Sequence, residues 1–323
     1  MRRPAKIAAA SLLLALACAV ATPFLVHGQE ASPLTAPRYD NAFWHHWGDG
    51  QAELAGYDLT FSRYGEDRHG TAVAIFVTER FDNATRVKAD GNGAGTFPVM
   101  KLNLVRDFPT GVYDYNVMTS SFVALERVNG YPAGATTKVS FSSQEWCGHV
   151  YEQLVFDQDA VRKDLHSYFG GEADQNARLD AHANGIAEDS LLLWARGMAA
   201  PALAPGESQT LPILTSTLTA RLRHRPLGWR EVTLTRAQGT TQTEVPAGGF
   251  AVETLTAEIA GGTTWTFHVE QAAPHRLVRW TSTAGERAEL LGADRMKYWQ
   301  LHDNGGEAAL ARFGLSPRAR RTP

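Results

Sequence analysis

Cysteine is scarce in this sequence, because only Cys18 and Cys147 occur among its 323 residues. Cys18 lies in segment 1–28, which we interpret below as a leader that is removed on export. The remaining chain then has a single thiol, and this excludes an internal disulfide. A lone cysteine of this kind is either buried and inert, paired with another molecule, or reactive.

An excess of basic charge is also missing. Lysine and arginine together number 31, against 34 aspartates and glutamates. Removal of segment 1–28 takes away three basic residues and no acidic ones, which leaves 28 against 34 and a net charge of about −6. This balance argues against a nucleic-acid partner. The one basic cluster, in the tail 317–323, is interpreted as a solvated end, with weak contact to anionic lipid headgroups as the alternative.

A long apolar run occurs only near the start of the sequence. Basic residues at positions 2, 3 and 6 precede an apolar stretch that extends from Ile7 to about Val26 and is followed by small residues. A basic start followed by such a stretch is typical of an export signal. We therefore predict a signal peptide over residues 1–28.

Other interpretations of this segment stay open. Cleavage after Gly28 is expected because polar residues follow it, whereas Ala21 marks a second site that fits the small-residue rule. The letters ALAC resemble a lipoprotein signal, which would attach lipid at Cys18. An uncut membrane anchor is a further alternative, against which Pro23 argues. We expect a location in the periplasm or at the outer membrane of a bacterium, with lipid anchoring at Cys18 as the less favoured form.

The remainder of the sequence has the pattern of strands. In GYDLTFSRY, the apolar residues Tyr57, Leu59 and Phe61 alternate with polar ones, a period of two that is typical of a half-buried strand. The same alternation recurs at Trp265 and Phe267. Roughly ten such segments, separated by turns and not by helices, predict an all-β protein. Its curved antiparallel sheets are expected to form a barrel, a half-barrel or a sandwich.

Changes in composition along the chain predict its domain organisation. An N-terminal β region is expected over 38–169 and a C-terminal β region over 210–316, packed either separately or as one domain. Between them, 170–209 is polar and rich in Gly, Ala and Pro, which indicates a linker. Within the linker, one short amphipathic helix is predicted near 186–197. The basic tail completes the chain at 317–323.

The stretch SSQEWCGH places Glu145, Cys147 and His149 within five residues. In one regular strand these three side chains would share a face, about 6.6 Å apart at about 3.3 Å per residue. Such neighbours could lower the pKa of the thiol and produce a nucleophile for a hydrolase or transferase. Catalytic Cys and His residues usually come from distant parts of a chain, however, and no oxyanion donor can be named. We therefore assign no catalytic residue and favour burial or a polar ligand-facing patch.

A second group of polar residues surrounds the turn in SRYGEDRHG. Arg63 and Arg68 are candidates to hold an anionic group, with Glu66 orienting one of them. We favour the other interpretation, a hairpin whose exposed end carries charge for solubility.

Aromatic residues provide the other candidates for ligand contact. Trp44 and Trp47 either pack their segment onto a sheet or present a stacking surface for a sugar or an acyl chain. Gln144 and Trp146 would face away from the Glu145 side of their strand, and we count them among the ligand-binding candidates. The adjacent histidines between the two tryptophans point in opposite directions on an extended chain, so no metal site is expected. No motif for a cofactor is present in a convincing context.

Six segments, spread over most of 43–315, carry a resemblance to known proteins. They are WGDGQAELAGYDL, RYGEDRHGTAVAIFVTE, VMKLNLV, TGVYDYNVMTS, SSQEWCGH and LLGADRMKYWQLHDNGGEAALARFGL, and RYGE and SSQEWCGH are the most specific parts. Together they resemble a family of exported bacterial proteins of unknown function, some of which are mislabelled as septum formation inhibitors. The resemblance implies a periplasmic or lipoprotein location and an all-β body, with no established activity.

The C-terminal half contains a run made of Pro274, Arg276, Leu277, Val278 and Trp280. In this run it resembles an exported all-β domain of unknown function. It implies a curved sheet of the kind that holds an amphipathic ligand, which is an analogy of fold alone.

These observations favour an exported envelope protein that binds and does not catalyse. The expected partner is an amphipathic small molecule, lipid or glycan, held on a curved sheet, or another envelope component. A thiol-dependent hydrolase or transferase and a structural envelope partner are the alternatives. No cofactor is expected, and membrane contact is expected only through an N-terminal anchor.

Overall fold

The computed structural model describes residues 34–317, so the predicted leader and the tail arginines lie outside the described residues. The described residues form sixteen strands, three short α-helices and three 3-10 segments. The strands are β1 Ala52–Arg63, β2 Glu66–Asp82, β3 Thr96–Thr110, β4 Tyr113–Ala124, β5 Thr136–Glu145, β6 Gly148–Phe156, β7 Ala160–Ser167, β8 Gln175–Asp180, β9 Ile186–Ala187, β10 Ser208–Leu214, β11 Trp229–Arg236, β12 Thr241–Val245, β13 Gly248–Ile259, β14 Thr264–Glu270, β15 Leu277–Ser282 and β16 Glu286–Met296. The helices are α1 Asn41–Trp47, α2 Leu191–Ala195 and α3 Thr217–Arg223, and the 3-10 segments are Glu188–Ser190, Tyr298–Gln300 and Gly306–Phe313.

All sixteen strands belong to one sheet. Its order is β8-β7-β6-β5-β4-β3-β2-β1-β16-β15-β14-β13-β11-β10-β9, and β12 pairs with β13 beside this path. Every pairing is antiparallel except that of β9 with β10. The sheet curls strongly, as a contact between distant strands shows. The hydroxyl oxygen of Thr136, at the start of β5, lies 3.1 Å from that of Ser190, which follows the edge strand β9. The prediction of an all-β protein with a curved antiparallel sheet is confirmed.

Alternation of apolar and polar residues builds the concave face as expected. Tyr57, Leu59 and Phe61 are buried in β1, whereas Asp58 between them is exposed. The number of strands exceeds the expectation because short polar strands carry no such pattern. One of these is β8, which lies in the segment 170–209 that was expected to be a linker. The two predicted β regions are joined in one sheet by the pairing of β1 with β16, and β8 is an edge strand.

The short helix predicted near 186–197 exists as α2, but all five of its residues are buried. An amphipathic helix with a solvated face was expected from the sequence. The helix lies instead among the core side chains of the curled sheet, where Trp194 packs edge-on to Phe267 of β14 at a ring separation of 6.3 Å. A helix enclosed on every side has no polar face.

The outer face of β1 and β16 is covered by the 3-10 segment Gly306–Phe313. Phe313 is buried there with Leu54 and Met296. The close approach requires glycine at position 56, since an added Cβ would stand 2.2 Å from the carbonyl oxygen of Phe313. No helix within residues 34–317 is long and apolar enough to cross a bilayer.

Hairpin connections define two ends of the sheet. The turns at 64–65, 111–112 and 146–147 join β1 to β2, β3 to β4 and β5 to β6, and they lie at one end, which we call the tip end. Helix α1 precedes β1 at the opposite end, which we call the α1 end.

Candidate ligand site inside the curved sheet

A cavity of about 200 Å³ lies at the tip end, beneath α3. Buried carboxylates dominate its polar lining. Glu188 accepts hydrogen bonds from Nε1 of Trp265 at 2.9 Å and from the backbone N–H of Ser216 at 2.8 Å. Burial is the main cause that raises the pKa of Glu188 to about 7. This side chain is therefore partly protonated at neutral pH.

Three other charged residues of the tip-end cavity, Asp189, Arg106 and Glu286, have partners within the protein. Asp189 accepts hydrogen bonds from the backbone N–H of Thr217 at 3.0 Å and from the hydroxyl of Ser216 at 2.9 Å, and burial raises its pKa. Arg106 and Glu286 form a buried ion pair, with Nε 3.0 Å from Oε1. The hydrogen bonds of Glu188 and Asp189 hold the start of α3, and the Arg106–Glu286 pair joins β3 to β16, so these groups have a structural role.

A larger cavity, of about 550 Å³, lies at the α1 end, and we call it the α1-end cavity. A space of this size is in the usual range for a small-molecule site. Its apolar lining is formed by Phe43, Trp47, Trp194, Met198, Leu203, Leu255 and Val269. Its polar lining includes Arg38, Asp40, His46, Arg196, Arg236, Glu253, Glu270 and His275. The site is therefore amphipathic.

Helix α1 places Trp47 in this wall. The helix begins at Asp40, whose carboxylate accepts a hydrogen bond from the backbone N–H of Phe43 at 3.0 Å. It ends beside β2, where the hydroxyl of Thr78 donates to the carbonyl of Trp47 at 2.6 Å. The pKa of His46, in the same helix, is lowered by burial and by the nearby Arg295. Its imidazole is thus neutral at pH 7.

Arg196 forms the charged floor of the α1-end cavity. Its side chain is completely buried and pairs with Glu53 of β1, Nη1 to Oε1, at 2.6 Å. It also donates to the carbonyls of Pro274 and His275, and its guanidinium lies 4.3 Å from the ring centre of Phe76. Because its donors are committed to these partners, Arg196 shapes the cavity and leaves little for a ligand.

Two arginines remain near the mouth of this cavity. Arg236 donates to Glu253 at 2.8 Å and to the carbonyl of Leu203 at 2.9 Å, so its charge is balanced. Arg38 is exposed and forms no ion pair with any carboxylate among residues 34–317. Arg38 is consequently the cation best placed to receive an anionic group at the end of an apolar wall.

The structure separates the charged residues predicted around the β1–β2 turn. Arg63 turns inward, where it lines the tip-end cavity and donates to the hydroxyl of Tyr115 at 3.1 Å and the carbonyl of Leu222 at 3.2 Å. Arg68 pairs with Glu66 at 2.6 Å. The two arginines therefore do not converge on one point.

The aromatic and amide candidates are distributed over three places. Trp47 is buried in the wall of the α1-end cavity, and Trp44 of the same helix is partly exposed. Gln144 lines an open groove on the outer face of the sheet. Trp146 is exposed at the tip end. Of these four, only Trp47 lies where a ligand could be enclosed.

Glu145, Cys147 and His149 do not gather on one face. The strand ends at Glu145, Trp146 and Cys147 form a two-residue turn, and Glu145 pairs with Gly148 in β6. Glu145 is buried with its carboxylate 3.5 Å from Arg221, whereas His149 is exposed on the other face. A shared face for these three side chains requires one regular strand, and the hairpin removes that geometry.

The chemistry of Cys147 also differs from that of an activated thiol. The Glu145 carboxylate accepts a hydrogen bond from the thiol and, with its negative charge, raises the pKa of Cys147. A nucleophilic cysteine needs the opposite shift. Within residues 34–317 no group of three His, Cys, Asp or Glu side chains is placed to hold a metal ion.

Sequence reasoning missed most of the α1-end cavity. Trp194 and Arg196 lie in the segment IAEDSLLLWARGM, which was interpreted as part of a linker. The one available signal was an arginine directly after an unbroken apolar run, which is unusual on a solvated helix. Leu255 and Val269 were predicted only as strand residues, and nothing in their strands distinguishes a cavity wall from a filled core.

Comparisons with known proteins add little. No model of a known protein family matches the sequence, and no curated protein matches it significantly. Among solved structures, the chain is similar to a crystal structure described as a beta-barrel-like protein of domain of unknown function DUF1849 from Brucella abortus. The match covers 76% of this chain and 98% of that one, with 12% sequence identity and a TM-score of 0.44. The fold is therefore argued from the strands of this chain and not from the similar structure. The family resemblance of the RYGE and SSQEWCGH segments stays a prediction.

Proposed function

We propose that this protein binds one amphipathic molecule with an anionic end in the α1-end cavity. The observation that carries the proposal is the cavity of about 550 Å³ with an aromatic and aliphatic wall and, at its edge, Arg38, which forms no ion pair within residues 34–317. Ligand sites combine a mainly apolar wall with a few polar groups that set orientation. An acyl chain or an aromatic body suits the wall better than a glycan does, because most polar side chains there already have partners.

The orientation of the ligand follows from the same lining. The apolar body would pack on Trp47, Trp194 and Leu255, which are buried in the core. The anionic group would lie near Arg38, which is exposed. Burying the body removes apolar surface from water, and the contact with a guanidinium adds a charge-assisted hydrogen bond.

The predicted leader supports a role of this kind in the cell envelope. A basic start and an apolar stretch over 1–28 are typical of exported proteins. Amphipathic molecules are abundant in that compartment. The proposed function is therefore that of a binding protein for an acyl-bearing anion in the envelope.

Displacement of the dye anilinonaphthalene sulfonate by laurate tests the proposal. Laurate carries a carboxylate, and lauryl alcohol has the same chain without the charge. We expect Arg38→Gln to weaken laurate binding by roughly tenfold and to leave lauryl alcohol binding unchanged. Ala202→Trp, which fills the α1-end cavity, should weaken both.

Ala284→Trp is the matched control, because it adds the same bulk at the lining of the tip-end cavity. It should leave laurate binding unchanged. Circular dichroism and thermal unfolding establish that each variant is folded. If the protein binds neither amphiphile, or if Ala202→Trp has no more effect than Ala284→Trp, the proposal is wrong. A structural role in an envelope complex would then be the better explanation.

A further inference from the structure

The most exposed large apolar side chains of residues 34–317 lie together at the tip end. Tyr64, Val112, Trp146 and Tyr168 have 57%, 75%, 71% and 73% of their surface exposed, and every other large apolar side chain in this range is less than half exposed. The first three occupy the hairpin turns that define the tip end, and Tyr168 directly follows β7. We call these four residues the tip patch.

Tyr113 lies between two members of the tip patch, Tyr64 and Trp146. The hydroxyl of Tyr113 lies 3.4 Å from that of Tyr64, and its ring centre lies 6.3 Å from that of Trp146. Tyr168 packs over Gly148, directly after the Trp146 turn, where an added Cβ would stand 2.5 Å from its ring. Alternate turns of a sheet are about 10 Å apart, since neighbouring strands are separated by about 4.8 Å. The patch is therefore a row of projecting tips and not a flat surface.

Unpaired positive charge lies beside the Tyr168 side of this row. Arg223 and Arg225, at and after the end of α3, are exposed, and neither forms an ion pair with a carboxylate of the described chain. His224 between them contacts Phe169, the neighbour of Tyr168, at a ring separation of 5.8 Å.

One carboxylate near the row is neutralised by an ion pair, that of Glu66 with Arg68. The Glu172 carboxylate accepts a hydrogen bond from the His224 imidazole. Asp67 follows the Tyr64 turn closely in the chain. Arg223 and Arg225 place positive charge at the Tyr168 side of the row.

We propose that the tip patch docks on the headgroup region of a phospholipid bilayer that contains anionic lipid. Trp and Tyr rings favour this region because they have an apolar body and a polar edge. A row of separate projecting side chains can enter a fluid interface, whereas a protein partner usually requires a broader packed surface. The two arginines complement anionic headgroups. From the sequence alone, membrane contact is expected only through an N-terminal anchor.

The orientation has a consequence for the tip-end cavity. Tyr64 and Arg223 are exposed and also line that cavity, so it reaches the surface among the tips. Docking would turn its opening toward the bilayer. This surface is at the opposite end from the α1-end cavity, so the docking proposal does not depend on the ligand proposed above.

Cys147 provides a local reporter, because it is exposed and lies in the same turn as Trp146. The full chain with Cys18→Ser is labelled at Cys147 with the environment-sensitive dye nitrobenzoxadiazole. Vesicles of phosphatidylethanolamine and phosphatidylglycerol are then added. We expect the emission to rise and to be quenched by spin-labelled lipid. A label on Asn304→Cys in a background with Cys18→Ser and Cys147→Ser reports on the α1 end and should stay in water, even if the leader tethers the chain.

Matched variants distinguish binding through the tip patch from nonspecific adsorption of the protein to vesicles. Trp146→Ser with Tyr168→Ser should reduce the lipid dependence of the Cys147 signal by at least roughly tenfold. Trp299→Ser, which removes a 46% exposed tryptophan from the α1 end, should not. Arg223→Gln with Arg225→Gln should weaken the response to anionic vesicles, and Arg127→Gln, an exposed arginine at the α1 end, should not.

A Cys147 label that stays in water on all vesicles would overturn the proposal. The proposal would also be overturned if the Cys147 signal on vesicles were the same in the Trp146→Ser, Tyr168→Ser variant as in the labelled protein that keeps both side chains. A label that is protected only after a protein fraction is added would assign the patch to a protein partner and would equally overturn docking on lipid. Laurate binding in the unlabelled protein is unaffected by any of these outcomes, so the two proposals fail separately.

Discussion

Arg196 and Glu53 are 143 positions apart in the sequence and form a two-point ion pair in the interior, with Nη1 to Oε1 at 2.6 Å and Nη2 to Oε2 at 3.2 Å. The pair joins the segment after α2 to the first strand. The same guanidinium also donates to the carbonyls of Pro274 and His275. One side chain thus holds three distant parts of the chain around the α1-end cavity.

Removal of Arg196 is expected to be costly. In Arg196→Met the Glu53 carboxylate stays buried without its cation, and we expect the free energy of unfolding to fall by about 3–5 kcal/mol. The double variant Arg196→Met with Glu53→Leu should recover a large part of this loss, because both charges are gone. Urea denaturation of the wild type, Arg196→Met, Glu53→Leu and the double variant measures the interaction free energy between the two side chains. A double variant as unstable as the single one would contradict a buried charge as the cause.

Glu188 should make stability depend on pH. Burial raises its pKa from 4.5 to about 7, so the folded protein holds this proton more tightly than the unfolded chain does. As the pH rises from about 4.5 to 7, the unfolded chain ionises first and the folded state loses stability, by about 3 kcal/mol in total. Below pH 4.5 both states are protonated and this contribution is constant.

In Glu188→Gln, the part of the decrease in unfolding free energy that Glu188 causes between pH 5 and pH 7.5 should be absent. Asp189, whose pKa burial also raises, keeps a remaining slope of the same sign. Glu126→Gln, at an exposed position, is the control and should leave the slope unchanged. Urea unfolding at a series of pH values measures it. Identical slopes in the wild type and Glu188→Gln would show that Glu188 ionises normally in the folded protein.

The Cys147 thiol should react slowly despite its exposure. Because Glu145 accepts its hydrogen bond and raises its pKa, little thiolate is present at pH 7. We expect alkylation by iodoacetamide to be slower than that of a free cysteine, and faster in Glu145→Gln. The rate is measured by mass spectrometry in the Cys18→Ser background.

His149→Ala is the control for this measurement, because the imidazole points away from the thiol side of the hairpin. Its rate should equal that of the parent protein. A slower rate in His149→Ala would mean that the imidazole activates the thiol, and the thiol-dependent hydrolase or transferase would return as the better hypothesis.

Gly56 should be required for the packing of the C-terminal 3-10 segment. In Gly56→Ala the new methyl group meets the Phe313 carbonyl oxygen at 2.2 Å, so segment 306–315 must move outward. We expect a loss of about 1–3 kcal/mol in unfolding free energy and faster proteolysis at the C-terminal end. Gly91→Ala, where the added Cβ meets no atom within 4 Å, should be neutral. Equal protease resistance in the two variants would contradict this contact.

Much of the fold was predictable from local pattern. The alternation at Tyr57, Leu59 and Phe61 predicted both a strand and its buried face, because successive side chains of a strand point to opposite sides. Short polar strands such as β8 were not predictable, since they are stabilised by pairing with a neighbour and not by an apolar face of their own.

The candidate sites were less predictable. Glu145, Cys147 and His149 are close in sequence, yet a two-residue turn sends them to different sides of a hairpin. Trp47 and Trp194 are 147 positions apart by number and line one cavity. Periodicity reports which face of an element is apolar, but it does not report whether the opposing faces meet completely or leave a space.

Local alternation and turn residues, both readable along the chain, were enough to establish an all-β protein with a curved antiparallel sheet. The curling of that sheet placed α2 inside it, left an empty space at the α1 end and brought four exposed apolar side chains into one row at the tip end. These outcomes depend on which strands become neighbours and on how far the sheet twists. Because those are properties of contacts between distant segments, no single stretch of residues contains them.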